Sequence, residues 1–388
     1  MIVKGGEIAK IYQLYISDNA RKFNNGVGYL FTNQDIYNEQ IQNLEFATTK
    51  GFKEEYKRMV KRSLYKQMGA RIEFNVTRRM FGNFTEARIK IYNVNKSIRE
   101  LFGLDLFDFE ADTLRREIYL MVGHKSDVGV GSGLGLIFGG TTYTIQNYKQ
   151  GVDVITEIYA RGGEWKINEH QPKFMANMFE FSSKGFKDFL TRLTDELQKT
   201  DGINANWQLP IKEGNITKTM YEWLPDNKFN SNVIVESNNI FGIIKKYTPN
   251  GYIPFIDNKQ FYFLKSPQII VNEIFNTIAN SDVMLETPRR YNNNFRVKTL
   301  LLPFVQIGQM LELSSQITSK YNGVPMKVIS ITHSGTINDA GESKASTEIE
   351  LLGGDSIDYK TPEVKALEEK ERKKQQALQA KSDFGMIA

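Results

Sequence analysis

The sequence predicts an α+β protein rich in strands, with two β-domains flanking a middle region of helix-then-strand modules. Three observations carry this. Apolar and polar residues alternate at Ile72, Phe74 and Val76, and again at Ala87, Ile89 and Ile91, the period of half-buried strands. Phe186, Phe189, Leu190, Leu193 and Leu197 recur at helical spacing. Aromatic residues make up 12% of the chain; Phe and Tyr dominate and favour strands, while the Asn residues between them favour turns. A chain of 388 residues exceeds what one hydrophobic core organises, so two or three domains are expected.

Residues 1–69 read as an N-terminal arm. Residues 9–17 (AKIYQLYIS) form a strand, and residues 18–34 a polar, Asn/Gly-rich loop broken by Tyr29, Leu30 and Phe31. Residues 52–68 read as a helix, with Phe52, Tyr56, Met59, Val60 and Leu64 on its apolar face. Its other face carries Lys53, Lys57, Arg58, Lys61, Arg62 and Lys66 against Glu54 and Glu55. This basic face is a candidate surface for a partner, a membrane or nucleic acid; the solvated face of a packed helix is the plainer explanation.

Residues 70–165 form the first β-domain. After the two alternating strands, Asn95 caps a short helix that buries Ile98, Leu101 and Phe102. A third strand holds Ile118, Leu120 and Val122, a glycine-rich loop spans 123–135, and residues 136–140, 142–147 and 152–160 complete a barrel or sandwich. Residues 166–268 hold the middle modules. The helix at 186–197 is capped by Ser182 or Ser183 and followed by a strand at 206–210. A second helix at 239–247 precedes a hairpin that turns at Asp257, Asn258 and Lys259. Residues 269–356 are the second β-domain, with strands at 295–301, 310–315, 326–333 and 346–352 and a corner from Pro303 to Gly308. Residues 357–388 are a charged tail rich in Lys, Glu, Gln and Ala, with little apolar face to bury and an expected mobile character.

Composition excludes some chemistry. The chain has no cysteine, so disulfides and thiolate zinc sites are ruled out. A net charge of +5 is small for this length and does not by itself specify a polyanionic partner. The N-terminus lacks the apolar core of a signal peptide, and no apolar run reaches the ~20 residues that span a bilayer. The chain is expected to be made in a cytoplasm and kept there or released by lysis, with no membrane insertion.

No motif carries a reaction. Gly129, Gly131, Gly133 and Gly135 are separated by Val130, Ser132 and Leu134. The spacing fits neither a dinucleotide loop nor a P-loop, and a strand-like run follows instead of a helix N-terminus. Ser132 lacks the glycines of a nucleophile elbow. His124, His170 and His333 lie in three distant segments, with no metal-ligand spacing. Asp105, Asp108, Glu110 and Asp112 form an acidic patch; a glycosidase-like carboxylate pair would come from here, and solvated loop carboxylates explain it as well. Trp165, Trp207 and Trp223 are scattered and suit packing. No catalytic residue, cofactor or metal is expected.

The order of segments is similar to the baseplate hub, or tail hub, proteins of tailed bacteriophages, which share a fold with the N-terminal part of type VI secretion spike proteins. The resemblance rests on ARIEFNVTRRMFGNFTEARIKIYNVNKSIRELF (70–102), LGLIFGGTTYTIQNYKQGVDVITEIYARGG (134–163), and ETPRR, LLLPFVQIGQMLEL and YNGVPMKVISITHSG near the end. It covers roughly residues 70–354. The arm, the glycine loop and the tail depart from the family pattern.

The resemblance implies two similar β-barrel-like tube domains joined by the α+β modules, and a homotrimer. Three copies would make a pseudo-sixfold ring adapting a sixfold tail tube to a threefold central spike or tail tip. Implied partners are the tail tube protein, the spike or tip protein, the tape measure and other baseplate proteins. Phage DNA would transit the ring without specific binding, and the basic face at 53–66 would meet a neighbour or the lumen. The implied location is the virion tail, with assembly in the bacterial host cytoplasm. Two other functions compete: a tail-associated peptidoglycan hydrolase using the acidic patch, and a nucleic-acid-binding structural protein using the basic helix.

Overall fold

The computed structural model describes residues 10–17, 28–33, 65–81, 85–103, 116–124, 133–162, 185–201, 203–226, 240–271, 277–279, 283–291, 294–314, 322–338 and 343–353. Strands dominate. The first unit holds β1 (Lys10–Ser17), β2 (Gly28–Thr32), β3 (Tyr65–Met68), β4 (Ile72–Arg79), β5 (Glu86–Tyr92), β6 (Glu117–His124), β7 (Gly133–Gln150) and β8 (Asp153–Arg161). The middle region holds β9 (Asn204–Ala205), β10 (Pro210–Glu213), β11 (Ile216–Thr219), β12 (Tyr252–Asp257) and β13 (Gln260–Lys265). The last unit holds β14 (Ile269–Ile270), β15 (Thr277–Ala279), β16 (Arg289–Tyr291), β17 (Asn294–Leu300), β18 (Met310–Ser314), β19 (Pro325–Ile337) and β20 (Lys344–Leu352). The helices are α1 (Lys96–Gly103), α2 (Gly185–Asp201) and α3 (Ile240–Tyr247).

Fourteen strands form one sheet in the order β16-β17-β20-β19-β4-β5-β8-β7-β6-β1-β2-β3, with β18 and β15 joined beside β19. The two β-units expected from sequence are therefore hydrogen-bonded to each other, through antiparallel pairing of β4 with β19 from Ile72↔Ile337 to Arg79↔Ser330. The path has two ends, β16 and β3, and among the described residues no strand pair closes it into a barrel. Two three-stranded sheets, β11-β10-β14 and β12-β13-β9, lie off it.

Alternation places one side of the main sheet in the core. In β4, Ile72, Phe74 and Val76 are buried, and β5 and β6 add Ile89 and Leu120. These residues, with Tyr12 and Leu14 of β1, make one hydrophobic cluster. A second cluster joins Phe186, Phe189 and Leu193 of α2 and Ile244 of α3 to Phe255 and Phe263, and to Val297, Ile331 and Ile349. The apolar stripe of α2 read from the sequence is the face that packs here.

Several elements differ from expectation. The segments 136–140 and 142–147 are one strand, β7, with a bulge between Thr142 and Thr144; the bulge absorbs the extra residue without breaking the ladder. Residues 206–209 turn instead of forming a strand, with the Leu209 amide donating to the Asn206 carbonyl at 3.0 Å. The end of the expected basic helix is a strand, because Tyr65–Met68 pairs in parallel with β2; residues 52–64 lie outside the described residues. The strand at 10–17 is inserted beside β6, from Lys10↔His124 to Ile16↔Ile118. The hairpin turning at Asp257–Lys259, the α1 start at Asn95, whose carbonyl accepts from Ile98 and Arg99, and the Pro303–Gly308 corner with Gly308 at φ 84° all form as read.

Candidate interaction surface

The β12–β13 hairpin belongs to the middle region, yet its tip docks on the first β-unit. Asn258 and Lys259 have φ of 47° and 61°, the left-handed pair that a tight hairpin turn requires. This aims three successive side chains away from the hairpin. Asp257 accepts from Nε of Arg78 on β4 at 2.8 Å and from its Nη2, and Arg78 Nη1 also reaches the Val305 carbonyl. The Asn258 side-chain oxygen accepts from the Gly139 amide of β7 at 3.0 Å. Lys259 Nζ donates to Glu117 Oε1 at 2.7 Å and to the Tyr119 hydroxyl at 2.9 Å, both on β6. Burial disfavours the charge on Arg78, but Asp257 outweighs it and raises the guanidinium pKa. The tip is thus a polar bolt at the boundary of two hydrophobic clusters. Buried charges must be paired to be tolerated, which fixes where the hairpin can sit.

From β17 to β7 the side of the main sheet that faces away from the first core is mostly polar, whereas β1, β2 and β6 are buried on both sides. Register sets its rows. One runs Lys298–Glu348–Thr332–Thr77–Glu86–Arg161 across β17, β20, β19, β4, β5 and β8. A parallel row runs Ser334–Asn75–Arg88–Tyr159–Thr144 through β19, β4, β5, β8 and β7. Cross-strand neighbours pair in charge. Lys90 lies 3.4 Å from Glu73, Arg161 3.5 Å from Glu86 and Arg296 2.7 Å from Glu348, and Arg88 contacts Glu157. Burial pushes the Glu157 carboxyl up, but the hydrogen bond and charge of Arg88 and the Tyr159 hydroxyl hold it below its ordinary value. Arg88 also stacks over Tyr159 at 5.3 Å, and Arg161 over Tyr143 at 4.9 Å. Between β4, β5, β7 and β8 this face forms an open groove of ≈ 750 Å³.

Residues 56–333 match the baseplate hub gp41 family. The chain belongs to this family. It is a structural protein of the phage tail baseplate and so a component of the virion. Solved structures to which the chain shows similarity include the 43 kDa tail protein of prophage MuSo2 from Shewanella oneidensis, 9% identical, covering 75% of this chain and 100% of that one at a TM-score of 0.45. The Francisella PdpA–VgrG complex is 10% identical, covering 92% of this chain and 55% of that one at a TM-score of 0.47. The E. coli c3393 protein, a type VI secretion component, is 7% identical, covering 76% and 77% at a TM-score of 0.43. Among curated proteins, none matches the chain in sequence.

Of the candidate partner residues in this hub, Lys66 lies on the edge strand β3 and is exposed. Lys53, Lys57, Arg58, Lys61 and Arg62 lie outside the described residues, as do the acidic patch from Asp105 to Asp112, His170, Ser132 and Trp165. The two described histidines are core residues. His124 Nε2 contacts the Leu301 carbonyl at 2.8 Å, and His333 Nδ1 contacts Thr347 Oγ1 at 2.9 Å. Burial, then Arg78, holds the His333 pKa well below its ordinary value. Gly133 and Gly135 of the glycine loop belong to β7, where Gly135 lets Pro303 of the second unit approach. Trp207 and Trp223 pack against the second cluster, and Trp223 Nε1 donates to the Ile211 carbonyl at 3.0 Å. Among the described residues no group of His, Asp and Glu could hold a metal, and no helix is long and apolar enough to cross a membrane.

Sequence reading missed the hairpin bolt. The turn itself was legible at Asp257–Lys259, but Lys259 and Glu117 are 142 residues apart, and nothing local marks one as the other's partner.

Proposed function

We propose that three copies of this hub form a ring that adapts a sixfold tail tube to a threefold central spike or tail tip. The observation that carries the reading is the family match over residues 56–333, joined to a main sheet that binds both β-units into one body through β4 and β19. A ring needs each subunit to present two units at a fixed angle, and head-to-tail contacts between copies close such rings. In this reading residues 70–165 and 269–356 are two tube domains and residues 166–268 join them. The tube protein binds one side of the ring and the spike or tip protein the other, with the tape measure and further baseplate proteins around them. DNA passes through without specific binding. Assembly takes place in the bacterial host cytoplasm, with no membrane insertion, and binding energy comes from packing and main-chain pairing, with no covalent step.

The basic segment Lys53, Lys57, Arg58, Lys61, Arg62 and Lys66 serves a neighbouring tail protein. Replacing Lys57, Arg58, Lys61 and Arg62 by Gln then impairs tail assembly; intact assembly and infectivity would remove that role. The ring is tested by the solution mass of the purified protein and by the symmetry of particle images. A trimer and a threefold collar are expected, and a protein that stays monomeric in solution and in tails contradicts the reading.

A further inference from the structure

The β10–β11 hairpin of the middle region carries a surface unlike that of the main sheet. β11 is the outer strand of its three-stranded sheet, and Ile216, Thr217 and Lys218 are exposed along it. A Cβ on Gly214, at the hairpin turn, would meet no atom within 4 Å. Beside the hairpin, Trp223 is half-buried and held at both ends. Its Nε1 donates to the Ile211 carbonyl and its own carbonyl accepts from the Tyr252 hydroxyl, each at 3.0 Å. Two ammonium groups approach this one indole, Lys218 Nζ at 5.3 Å and Lys265 Nζ at 5.9 Å from the ring centre, and Lys265 also stands over Tyr252 at 5.2 Å. Ile216 and Tyr221 add apolar surface, 55% and 44% exposed.

The two cations are uncompensated. Among the described residues neither Lys218 nor Lys265 has a carboxylate within 4.0 Å. The acidic side chains of this region are engaged elsewhere: Asp226 with Lys187 at 2.6 Å, Glu222 with the amide and hydroxyl of Thr219 at 2.8 Å each, and Glu213 with Gln268 Nε2 at 2.9 Å. Contact with the rings restrains the flexible lysine stems, so part of the ordering cost of binding is met in advance. Aromatic anchors rimmed by charge are the composition of a protein-docking surface. A nucleic-acid backbone is held by many free cations at once, and two are too few. The outer edge of β11 adds main-chain donors and acceptors that an extended segment satisfies by joining the sheet.

We propose that the β10–β11 hairpin docks an extended acidic segment of another tail protein. The segment adds to the edge of β11, packs an apolar side chain against Ile216 and Trp223, and sets carboxylates on Lys218 and Lys265. A second copy of this chain is the poorer source, since Glu73, Glu86, Glu157 and Glu348 of its main sheet already meet cations. The proposal goes beyond the ring reading and does not depend on it; it needs only a chain that works in the tail.

Carbodiimide joins a lysine amine to a carboxylate it touches, with loss of water. Purified tails are treated with it, digested and read by mass spectrometry. Lys218 or Lys265 is expected in a crosslink to an Asp or Glu of a different tail protein, and the Lys187–Asp226 pair reports that the reagent reached the region. Links from the two lysines only to this chain, in the same copy or in a second one, overturn the proposal. So does the absence of any link from either lysine where Lys187 and Asp226 are joined. The hub reading stands in each case.

Lys218→Glu combined with Lys265→Glu reverses the charge of the surface. The purified variant is expected to melt with its parent, while the partner is lost from tails and infectivity falls. Ile216→Asp leaves both lysines in place and is expected to give the same loss by removing the apolar contact. Particles of parental composition and infectivity from both variants would overturn the proposal.

Discussion

Lys259 and Glu117, 142 residues apart, meet through a 2.7 Å ion pair, with side chains only 6% and 4% exposed. One sits on the hairpin tip of the middle region and the other on β6 of the first unit. Removing one partner strands a charge where water cannot reach it. Lys259→Met is therefore expected to cost about 3–5 kcal/mol, read as a lower urea midpoint. Adding Glu117→Gln should recover much of that loss, because the orphaned charge is gone. A double variant as unstable as the sum of the singles would mean that the two groups do not interact.

Gly135 faces Pro303 across the boundary of the two β-units. A Cβ at Gly135 would stand 2.8 Å from the Pro303 Cβ and 2.9 Å from its carbonyl oxygen. Gly135→Ala should destabilise by about 1–3 kcal/mol, measured by thermal melting. Pro303→Ala should not rescue it, since the main-chain oxygen remains in the way. A melt equal to that of the parent would show that β7 and the corner can move apart freely.

Lys327 is buried on β19, with Nζ 3.2 Å from the carbonyls of Lys265 and Ser266. Burial pushes its pKa from 10.5 down to about 7. Between those values the unfolded chain holds the extra proton, so stability rises with pH across that window and is lowest below it. Lys327→Met should flatten this slope, seen as a smaller gain in Tm between pH 7 and pH 10. Parallel profiles for the two proteins would show that the ammonium is hydrated as in water.

His333 gives the acid limb. Its folded pKa is depressed, first by burial and then by Arg78, so below the ordinary value of 6.5 the unfolded state binds the proton and the native state does not. Stability should fall as pH drops below about 6.5. His333→Gln should remove part of that fall; His124, also depressed by burial, accounts for a further part. An acid limb unchanged in the variant would assign the loss to other groups.

The strands and helices were legible because their signals are local. Alternation at Ile72, Phe74 and Val76 and the stripe from Phe186 to Leu197 each arise from a few neighbouring residues that share one face. The Asp257–Asn258–Lys259 turn was legible for the same reason. The error at 65–68 has the converse cause: apolar spacing suited a helix, and pairing with β2 overrode it, as tertiary context does for weak local preference.

By itself the sequence determined the alternating strands β4 and β5, the apolar stripe of α2, the turn at Asp257–Lys259, and the ordered motifs that resemble a tail hub. Only the tertiary structure decided that β4 pairs with β19 so that both β-units share one sheet, that the tip of β12–β13 bolts onto β6, and that Arg88, Lys90, Arg161 and Arg296 each meet a carboxylate of a neighbouring strand. Those facts depend on which strands become neighbours. Pairings between Arg78 and Asp257 or Lys259 and Glu117 join residues more than 140 positions apart, so their energies exist only once the chain has closed those loops, and no local pattern can encode the partner.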